Sequence, residues 1–295
     1  MEEELLEAAK QGDVILVNSL LDRGVNPNIV NEEGIPLLSI ACKGTHFDVV
    51  RHLLERKANP NVTDKNGYSP IYWASFYRHR NIIKELLLYG ADPNISRGNH
   101  PALMSPCFWG NLDVIKVLLD AGADPNIKDH EEETCLLTLF RNQTPRVIHG
   151  RPLVVEMLLA YGADPNIANK YKRTPLDLAI YDGNTKVVEK LLMNGADPNV
   201  ADTFEDTPLH IAAHSNLVDI VKSLLLYGAD PNVLNNNGRN PQNRTVLGHK
   251  YQEVVAILGE AMETYFPTLR NLSLKSIGRR RININKIPST LFPLS

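Results

Sequence analysis

Apolar residues recur along the chain at the i, i+3, i+4 spacing of a helix face, in short stretches separated by polar turns. A representative stretch contains Ile220, Val221, Leu224 and Leu225 and is followed by Gly228. We expect the apolar stripe to pack against neighbouring helices and the glycine to end the helix in the left-handed conformation. The same arrangement recurs at Gly90, Gly122, Gly162 and Gly195.

A tripeptide of Asn or Asp, Pro and Asn stands between the helical stretches and sets a period. Successive prolines are 33, 33, 32, 40, 33 and 33 residues apart, at Pro27, Pro60, Pro93, Pro125, Pro165, Pro198 and Pro231. Proline keeps the residue before it extended, and Asp or Asn side chains bond nearby backbone groups. We therefore interpret the motif as a structural turn in preference to a metal site.

A period of 33 residues is that of the ankyrin repeat, a β-turn followed by two antiparallel helices. The clearest unit, residues 202–234, contains TPLH, paired alanines and the ending LLLYGADPN. The chain thus resembles the ankyrin-repeat family over nearly its whole length. We predict an all-α ankyrin-repeat solenoid of about eight helix pairs, forming one domain over residues 1–263, with a short helical segment over residues 264–295.

Two repeats depart from the pattern. The fifth, residues 129–168, has a surplus of 40 − 33 = 7 residues near RNQTPRVIHGRP, which predicts a longer loop between its two helices. In the fourth, Pro106 stands where residue 212 of the clearest unit is alanine. A proline at this place predicts a shortened or bent first helix.

Composition and charge narrow the class of protein. The chain has 295 residues, of which 43% are hydrophobic, and this composition is typical of a folded protein. Its net charge of −3 gives no electrostatic reason to expect binding to nucleic acid or to an anionic membrane. The N-terminus MEEELLEAAK is acidic, and no apolar run approaches the ~20 residues that span a bilayer. The odd set Cys42, Cys107 and Cys135 predicts free, buried thiols. We expect a cytoplasmic protein, with the nucleus as a second location.

The sequence contains no recognisable catalytic arrangement. Its nine histidines are scattered, and it has no Gly-rich phosphate loop, CxxC or HExxH motif. We interpret His210 of TPLH as structural, and His46 and His79 as matching positions of two repeats. We predict a protein that is not an enzyme and that uses no cofactor or metal.

Large aromatic residues distinguish the first helices of the third and fourth repeats. Other repeats place smaller or polar residues at these positions, which are Trp73, Phe76, Tyr77, Phe108 and Trp109. Because aromatic side chains serve as interface anchors, we predict that these five bind a target protein on the concave face of the repeats. The alternative is that they fill irregular packing around Pro106.

The C-terminal stretch predicts one more short helix. Its face is formed by Leu269, Leu272, Ser273, Ser276 and Ile277, at i, i+3, i+4, i+7 and i+8. We expect the helix to begin at Pro267 and to end at Gly278. A helix this short is unstable alone, so its apolar stripe must dock on the last repeat or on another protein.

This segment resembles the SOCS box, and the whole chain therefore resembles the ankyrin-repeat and SOCS-box family. The resemblance implies that elongin C binds Leu269, Ser273 and Ile277, together with Leu272 on the same face. Ile287, Pro288 and Leu291 correspond to the stretch that contacts a cullin. The matches are imperfect because Ser273 replaces the usual cysteine and Thr290 replaces a frequent second proline.

The resemblance implies a substrate receptor of a cullin–RING ubiquitin ligase. The repeats would hold an unknown target protein while the tail joins elongin B and elongin C, which promotes ubiquitination of the target by proximity. The alternative is an ankyrin scaffold or inhibitor in which the last helix only caps the solenoid. An F-box-like ending would start near Ile287, which leaves no room for its helices.

Overall fold

The computed structural model describes residues 1–95, 101–245 and 249–270, and for residues 249 and 265–270 the backbone alone. The chain divides into two compact units, Met1–Ala163 and Asp164–Ser295. In both units the elements of the described residues are helices, connected by turns, and none is a β-strand. One isolated bridge joins Val30 and Pro36. None of the described helices combines the length and apolar character needed to cross a membrane.

The first unit consists of helix pairs stacked in two layers. The first helices of the pairs pack in the order α1, α3, α5, α7 and α9, and the second helices in the order α2, α4, α6, α8 and α10. The helices are α1 (Glu2–Gln11), α2 (Val14–Asp22), α3 (Leu37–Lys43), α4 (Phe47–Glu55), α5 (Pro70–Phe76), α6 (Arg80–Leu88), α7 (Met104–Phe108), α8 (Leu112–Asp120), α9 (Cys135–Thr138) and α10 (Pro145–Ala160).

The second unit repeats this arrangement in shorter form. Its helices are α11 (Pro175–Tyr181), α12 (Thr185–Met193), α13 (Pro208–His214), α14 (Val218–Leu226) and α15 (Gln252–Arg270). α11 packs on α13, α12 on α14, and α14 on α15. The eighth repeat differs from a full helix pair in the described residues, because the 3-10 helix Gln242–Arg244 stands where its first α-helix was expected. This polar stretch includes the exposed Asn243 and lacks the apolar residues that hold the other first helices in place.

The predicted apolar stripe and helix ends are confirmed. Ile220, Val221 and Leu224 are buried, whereas Leu225 remains partly exposed. The glycines that follow the second helices have positive φ angles between 82° and 91°, a conformation that glycine adopts without a steric penalty. Lys57 takes the same left-handed conformation in the second repeat, at φ 65°.

The proline tripeptide joins successive repeats through its last asparagine. Asn94 Nδ2 donates to the carbonyl oxygen of Gly122 (2.9 Å), and its Oδ1 accepts from the backbone N–H of Asp124 (2.7 Å). Four more asparagines of the tripeptide make the same two bonds: Asn28, Asn61, Asn166 and Asn199. The asparagines therefore have a structural role, because they satisfy backbone groups that the helix ends leave unpaired.

The fifth repeat places its seven surplus residues in a helix and not in a loop as predicted. The connection between α9 and α10, residues 139–144, is still longer than the two or three residues that separate the helices of the other pairs, because α9 is short. α10 has 16 residues, whereas the other second helices of the paired repeats have nine. Seven residues complete nearly two helical turns and rotate the apolar stripe by only about 20°, so a helix can absorb the insertion. Pro152 lies inside α10 and costs it a backbone hydrogen bond.

The predictions made for Pro106 and Pro267 have different outcomes. Pro106 lies in a helix of five residues, whereas α5, α11 and α13 have seven, which confirms the predicted shortening. Pro267 does not begin a helix, because α15 runs without a break from Gln252 to Arg270. The backbone of Leu269 therefore belongs to the last repeat's own helix, and α15 crosses the predicted boundary at residue 264.

The histidine and cysteine interpretations are confirmed. His210 is fully buried, its Nδ1 accepts from the Thr207 hydroxyl (2.8 Å), and its Nε2 donates to the carbonyl oxygen of Arg239 (2.9 Å). His46 and His79 both precede second helices, and each places Nε2 near a carbonyl oxygen of the preceding repeat. All three cysteines are buried and free.

Candidate protein-binding site

The five predicted target-binding residues lie on the first helices α5 and α7 of the first unit. Trp73 and Phe76 are within α5, and Tyr77 follows it as the C-terminal cap. Phe108 is the last residue of α7, and Trp109 caps that helix. The structure thus brings all five to adjacent first helices.

Local capping explains how these helices present the rings. Ser69 caps the N-terminus of α5, since its side chain accepts from the backbone N–H of Tyr72, and Pro70 is the first helical residue. Because α7 is short, its end needs support from the next repeat. Asn142 supplies this support, since its Nδ2 donates to the carbonyl oxygen of Phe108 (2.9 Å).

The rings on α5 form a continuous cluster with two tyrosines that were not predicted. Tyr68 precedes α5 and lies 5.0 Å from Trp73, centroid to centroid, and Tyr72 lies 5.4 Å from Trp73 and 6.1 Å from Phe76. On α7, the centroids of Phe108 and Trp109 are 5.0 Å apart. We call these seven residues the aromatic cluster: Tyr68, Tyr72, Trp73, Phe76, Tyr77, Phe108 and Trp109.

Much of the aromatic cluster is open to solvent. The exposed fractions of Phe76, Tyr77 and Trp109 are 41%, 46% and 40%, while Trp73 and Phe108 are half-buried. Pro106 and Cys107 of the short helix α7 are buried. Packing around Pro106, the alternative interpretation, does not by itself require these three rings to be exposed.

A surface depression separates the two halves of the aromatic cluster. It has a volume of about 240 Å³, and its apolar wall is formed by Tyr72, Phe76, Met104, Phe108 and Trp109. Asp129, His130 and Arg141 form a polar wall on the side of the fifth repeat. The depression offers an apolar floor with a polar rim, which is the usual arrangement at the centre of a protein interface.

Basic side chains lie against the rings. Lys43 Nζ is 3.9 Å from the ring centroid of Trp73, and the guanidinium carbon of Arg78 is 5.5 Å from that of Trp109. Both geometries are those of cation–π contacts. Burial, followed by the nearby Tyr68, Asp64 and Tyr77, raises the pKa of Tyr72 to about 12, so its hydroxyl stays protonated and able to donate.

A metal site is the other kind of functional site to consider in the described residues. Among the described residues no three His, Cys, Asp or Glu side chains are grouped so that they could hold a metal ion.

The remaining predicted site residues are at the C-terminus. Leu269 is described through its backbone in α15, and the others lie outside the described residues: Leu272, Ser273, Ile277, Ile287, Pro288 and Leu291.

Sequence reasoning missed Tyr68, Tyr72 and the two cations. Tyr72 occupies the position of His210 in TPLH, which suggested a structural residue, and Tyr68 lies in the turn before α5. The available signal was the local density of aromatics, since four of the six residues from Tyr72 to Tyr77 have aromatic rings. Lys43 and Arg78 could be assigned to the cluster only once neighbouring repeats were placed side by side.

Comparisons with known proteins agree with this architecture. A family model described as ankyrin repeats (3 copies) matches residues 5–97, 104–202, 146–235 and 183–265. A comparison with curated proteins finds no match. Among solved structures, the chain is similar to an ankyrin repeat domain from Acinetobacter baumannii AYE, with 27% identity and a TM-score of 0.62, over 66% of this chain and 100% of that domain. The chain belongs to the ankyrin-repeat family.

Proposed function

We propose that this protein is a non-catalytic receptor that holds a protein target on its aromatic cluster. The observation that carries the proposal is the joint exposure of Phe76, Tyr77 and Trp109 on adjacent first helices. Ankyrin-repeat proteins are generally interaction modules without enzymatic activity. A soluble domain rarely leaves several large rings open to water on one face unless that face meets a partner.

The aromatic cluster has the properties of an interface centre. Its rings contact one another, so they lose little conformational freedom when a partner covers them, and each contributes a large apolar area. Asn142 holds the end of α7, so Phe108 and Trp109 are already in place before binding. Preorganisation of this kind lowers the entropic cost of association.

The double variant Phe76→Ala with Trp109→Ala tests this function. We expect it to lower the recovery of specifically captured proteins from cell lysate at least tenfold, because it removes two exposed anchors. The measurement is quantitative mass spectrometry of proteins captured by the immobilised full chain. The matched control is Tyr171→Ala with Phe204→Ala, which removes two exposed rings elsewhere and should leave the captured set unchanged.

The thermal midpoint of the double variant shows whether the fold is intact. Unchanged recovery by Phe76→Ala with Trp109→Ala at an unchanged midpoint would exclude the aromatic cluster as the target site. An equal loss of recovery in the Tyr171 and Phe204 control would also exclude it, because capture would then follow exposed rings in general.

We further propose, from the C-terminal sequence motif, that the receptor joins its target to elongin B and elongin C and so to a cullin–RING ubiquitin ligase. The support is the spacing of Leu269, Ser273 and Ile277 and the Ile287–Pro288 step that follows. A receptor of this kind contributes proximity and orientation, with no bond chemistry of its own. A repeat array suits such a role because stacked repeats offer an extended surface for binding a protein.

A second candidate is a scaffold or inhibitor in which the C-terminal helix only caps the repeats. The observation that favours it is the continuity of α15, which packs on α14 and extends to Arg270. In this case Leu269 is one more residue of the last repeat. The two candidates differ in what the segment after residue 264 contacts.

The variant Leu269→Asp separates the two candidates. If the segment binds elongin C, we expect Leu269→Asp to lower the affinity of the full chain for purified elongin B/elongin C at least tenfold, with no change in the thermal midpoint. Calorimetric titration measures the affinity. Met193→Asp is the matched control, because it places the same charge on an exposed apolar position of the second unit.

The contrary outcome is equally specific. A lower thermal midpoint for Leu269→Asp, together with no heat of binding between the unmodified chain and elongin B/elongin C, would identify a capping helix. The ligase function would then be withdrawn, while the target-binding function of the aromatic cluster would remain.

A further inference from the structure

The two cations at the aromatic cluster have no acidic partner within the described part of the chain. Lys43 and Arg78 form ring contacts but no ion pair there. Arg141, on the opposite side of the depression, differs because it pairs with Glu133 (3.3 Å) and lies 4.0 Å from Asp129. The second and third repeats therefore each present one cation at the aromatic cluster that no described acidic side chain pairs.

Arg78 occupies a backbone position that does not favour a long side chain. It lies in the turn between α5 and α6 with φ 64°, and Gly110 and Gly183 occupy this turn in the fourth and sixth repeats with φ 62° and 63°. An L-residue in the left-handed region is strained, and such strain persists where the surrounding structure or the function requires it. The guanidinium of Arg78 lies over the ring of Trp109.

One position of the first helices in the first unit carries a lysine in the first two repeats and a phenylalanine in the next two. At this position, successive repeats carry Lys10, Lys43, Phe76, Phe108 and Arg141. The two exposed or half-exposed lysines therefore precede the two phenylalanines that form the depression. An extended chain that follows this row would meet positive charge first and the apolar depression next.

We propose that the aromatic cluster recognises an acidic, extended protein segment that carries one large apolar side chain. The apolar side chain enters the depression, and carboxylates of the segment pair with Lys43 and Arg78. This inference rests on the proposed target-binding function and names the chemistry of the target.

Electrostatics disfavours a basic or methylated-lysine segment at the same place. Cations of the chain itself already lie on Trp73 and Trp109, so a cationic ligand would meet like charge. The acidic group at the depression, Asp129, is engaged as well, since its Oδ1 accepts from the backbone N–H groups of Glu131 (2.8 Å) and Glu133 (2.9 Å). A carboxylate gains a charge-assisted hydrogen bond from Lys43 or Arg78, and that bond is stronger than one between neutral groups.

The test uses a random library of displayed twelve-residue peptides selected against the immobilised full chain. We expect the enriched peptides to carry several Asp or Glu residues around one large apolar residue. Charge reversal by Lys43→Glu with Arg78→Glu should weaken the enriched peptides at least tenfold, and binding should weaken as the salt concentration rises. Lys170→Glu with Lys172→Glu is the matched control, with the same change of charge in the second unit.

Exchange of charge on the peptide makes the test two-sided. Copies of the enriched peptides with Lys in place of their acidic residues should bind the Lys43→Glu with Arg78→Glu variant better than the original chain. Enrichment of neutral or basic peptides, or an equal effect of the Lys170 and Lys172 control, overturns the inference. If such peptides still lose binding on Phe76→Ala with Trp109→Ala, the aromatic cluster remains a target site and only its preference for acidic segments is rejected.

Discussion

Replacing Asp177 with asparagine will stabilise the second compact unit by roughly 3 kcal/mol at pH 8 and by much less at pH 5. Asp177 is fully buried in α11, where its Oδ2 accepts from the backbone N–H (2.8 Å) and the hydroxyl (2.9 Å) of Thr174. Its Oδ1 has no hydrogen-bond partner in the described residues. Burial raises the pKa of Asp177 to about 7, and the hydrogen bonds from Thr174 offset only part of that rise.

The direction of the pH effect follows from proton binding. The ordinary pKa of an aspartate is 3.8, so between pH 4 and pH 7 the folded chain binds more protons at Asp177 than the unfolded chain does. The contribution of this residue is therefore most favourable below about pH 4 and is lost as the pH rises through 7. Asparagine stays neutral at every pH, so the variant should lack this decline.

Urea titrations between pH 5 and pH 8, followed by circular dichroism, measure the effect. Glu189→Gln, which removes an exposed carboxylate from α12 of the same unit, is the control and should leave the pH profile unchanged. Superimposable pH profiles of the unmodified chain and Asp177→Asn would show that the buried carboxyl is compensated in another way.

Asp177→His provides a second and opposite test. The equivalent residue of the seventh repeat, His210, makes all three hydrogen bonds that this position can offer. Burial lowers the pKa of His210, so a buried neutral histidine loses stability as the pH falls. The histidine variant should therefore be stabilised at pH 8 and should show stability that rises with pH, the reverse of the unmodified chain.

Arg151→Ala will destabilise the first compact unit by roughly 3 kcal/mol. Arg151 is fully buried in α10, and its guanidinium donates to the carbonyl oxygen of Asn142 (3.0 Å) and lies 4.8 Å from the ring centroid of Phe140. Alanine removes the packing of a large side chain and leaves a buried carbonyl without this donor. Arg151→Met should destabilise the unit less than Arg151→Ala does. Methionine loses the hydrogen bond but retains most of the side-chain volume.

The same substitution is expected to disturb the aromatic cluster. Asn142 holds the end of α7 through the carbonyl oxygen of Phe108, so a loss of Arg151 loosens the support of Trp109. Both tryptophans of the chain lie in the first unit, and their fluorescence therefore reports its unfolding. We expect a lower urea midpoint and a shifted emission maximum in the folded state of Arg151→Ala.

Arg146→Ala is the control for Arg151→Ala, because it removes an exposed arginine from the same helix. Equal midpoints for the two alanine variants would mean that the buried guanidinium adds nothing beyond an exposed one. A methionine variant as unstable as the alanine variant would assign the whole effect to the contacts of the guanidinium, among them the hydrogen bond to Asn142.

The predictable parts of the fold are those that each repeat specifies by its own residues. The helix-ending glycines, the proline tripeptide and the TPLH histidine act over a few residues, and the tripeptide recurs in seven copies, so the period could be read directly. His210 illustrates this, because both its position and its structural role followed from the motif. The five aromatics of the site were found in the same way, by comparing equivalent positions of aligned repeats.

The parts that failed depend on contacts between repeats. RNQTPRVIHGRP looked like a loop because it contains glycine and two prolines, yet its residues 145–152 are helical, with Val147 and Arg151 buried. Pro267 looked like a helix start because helices often begin with proline, yet α15 is already established from Gln252. In both cases a local signal was outweighed by the packing of the surrounding helix.

The sequence by itself determined the repeat, its helix pairs and the aromatic positions, because each is specified by short-range backbone preferences and a stripe of apolar residues. Only the tertiary structure decided that Tyr68, Tyr72, Lys43 and Arg78 join the aromatic cluster, and that Asp177 and Arg151 are buried. Those outcomes depend on which side chains neighbouring repeats bring together. Contacts between residues about 30 positions apart arise from stacking, which no single repeat encodes.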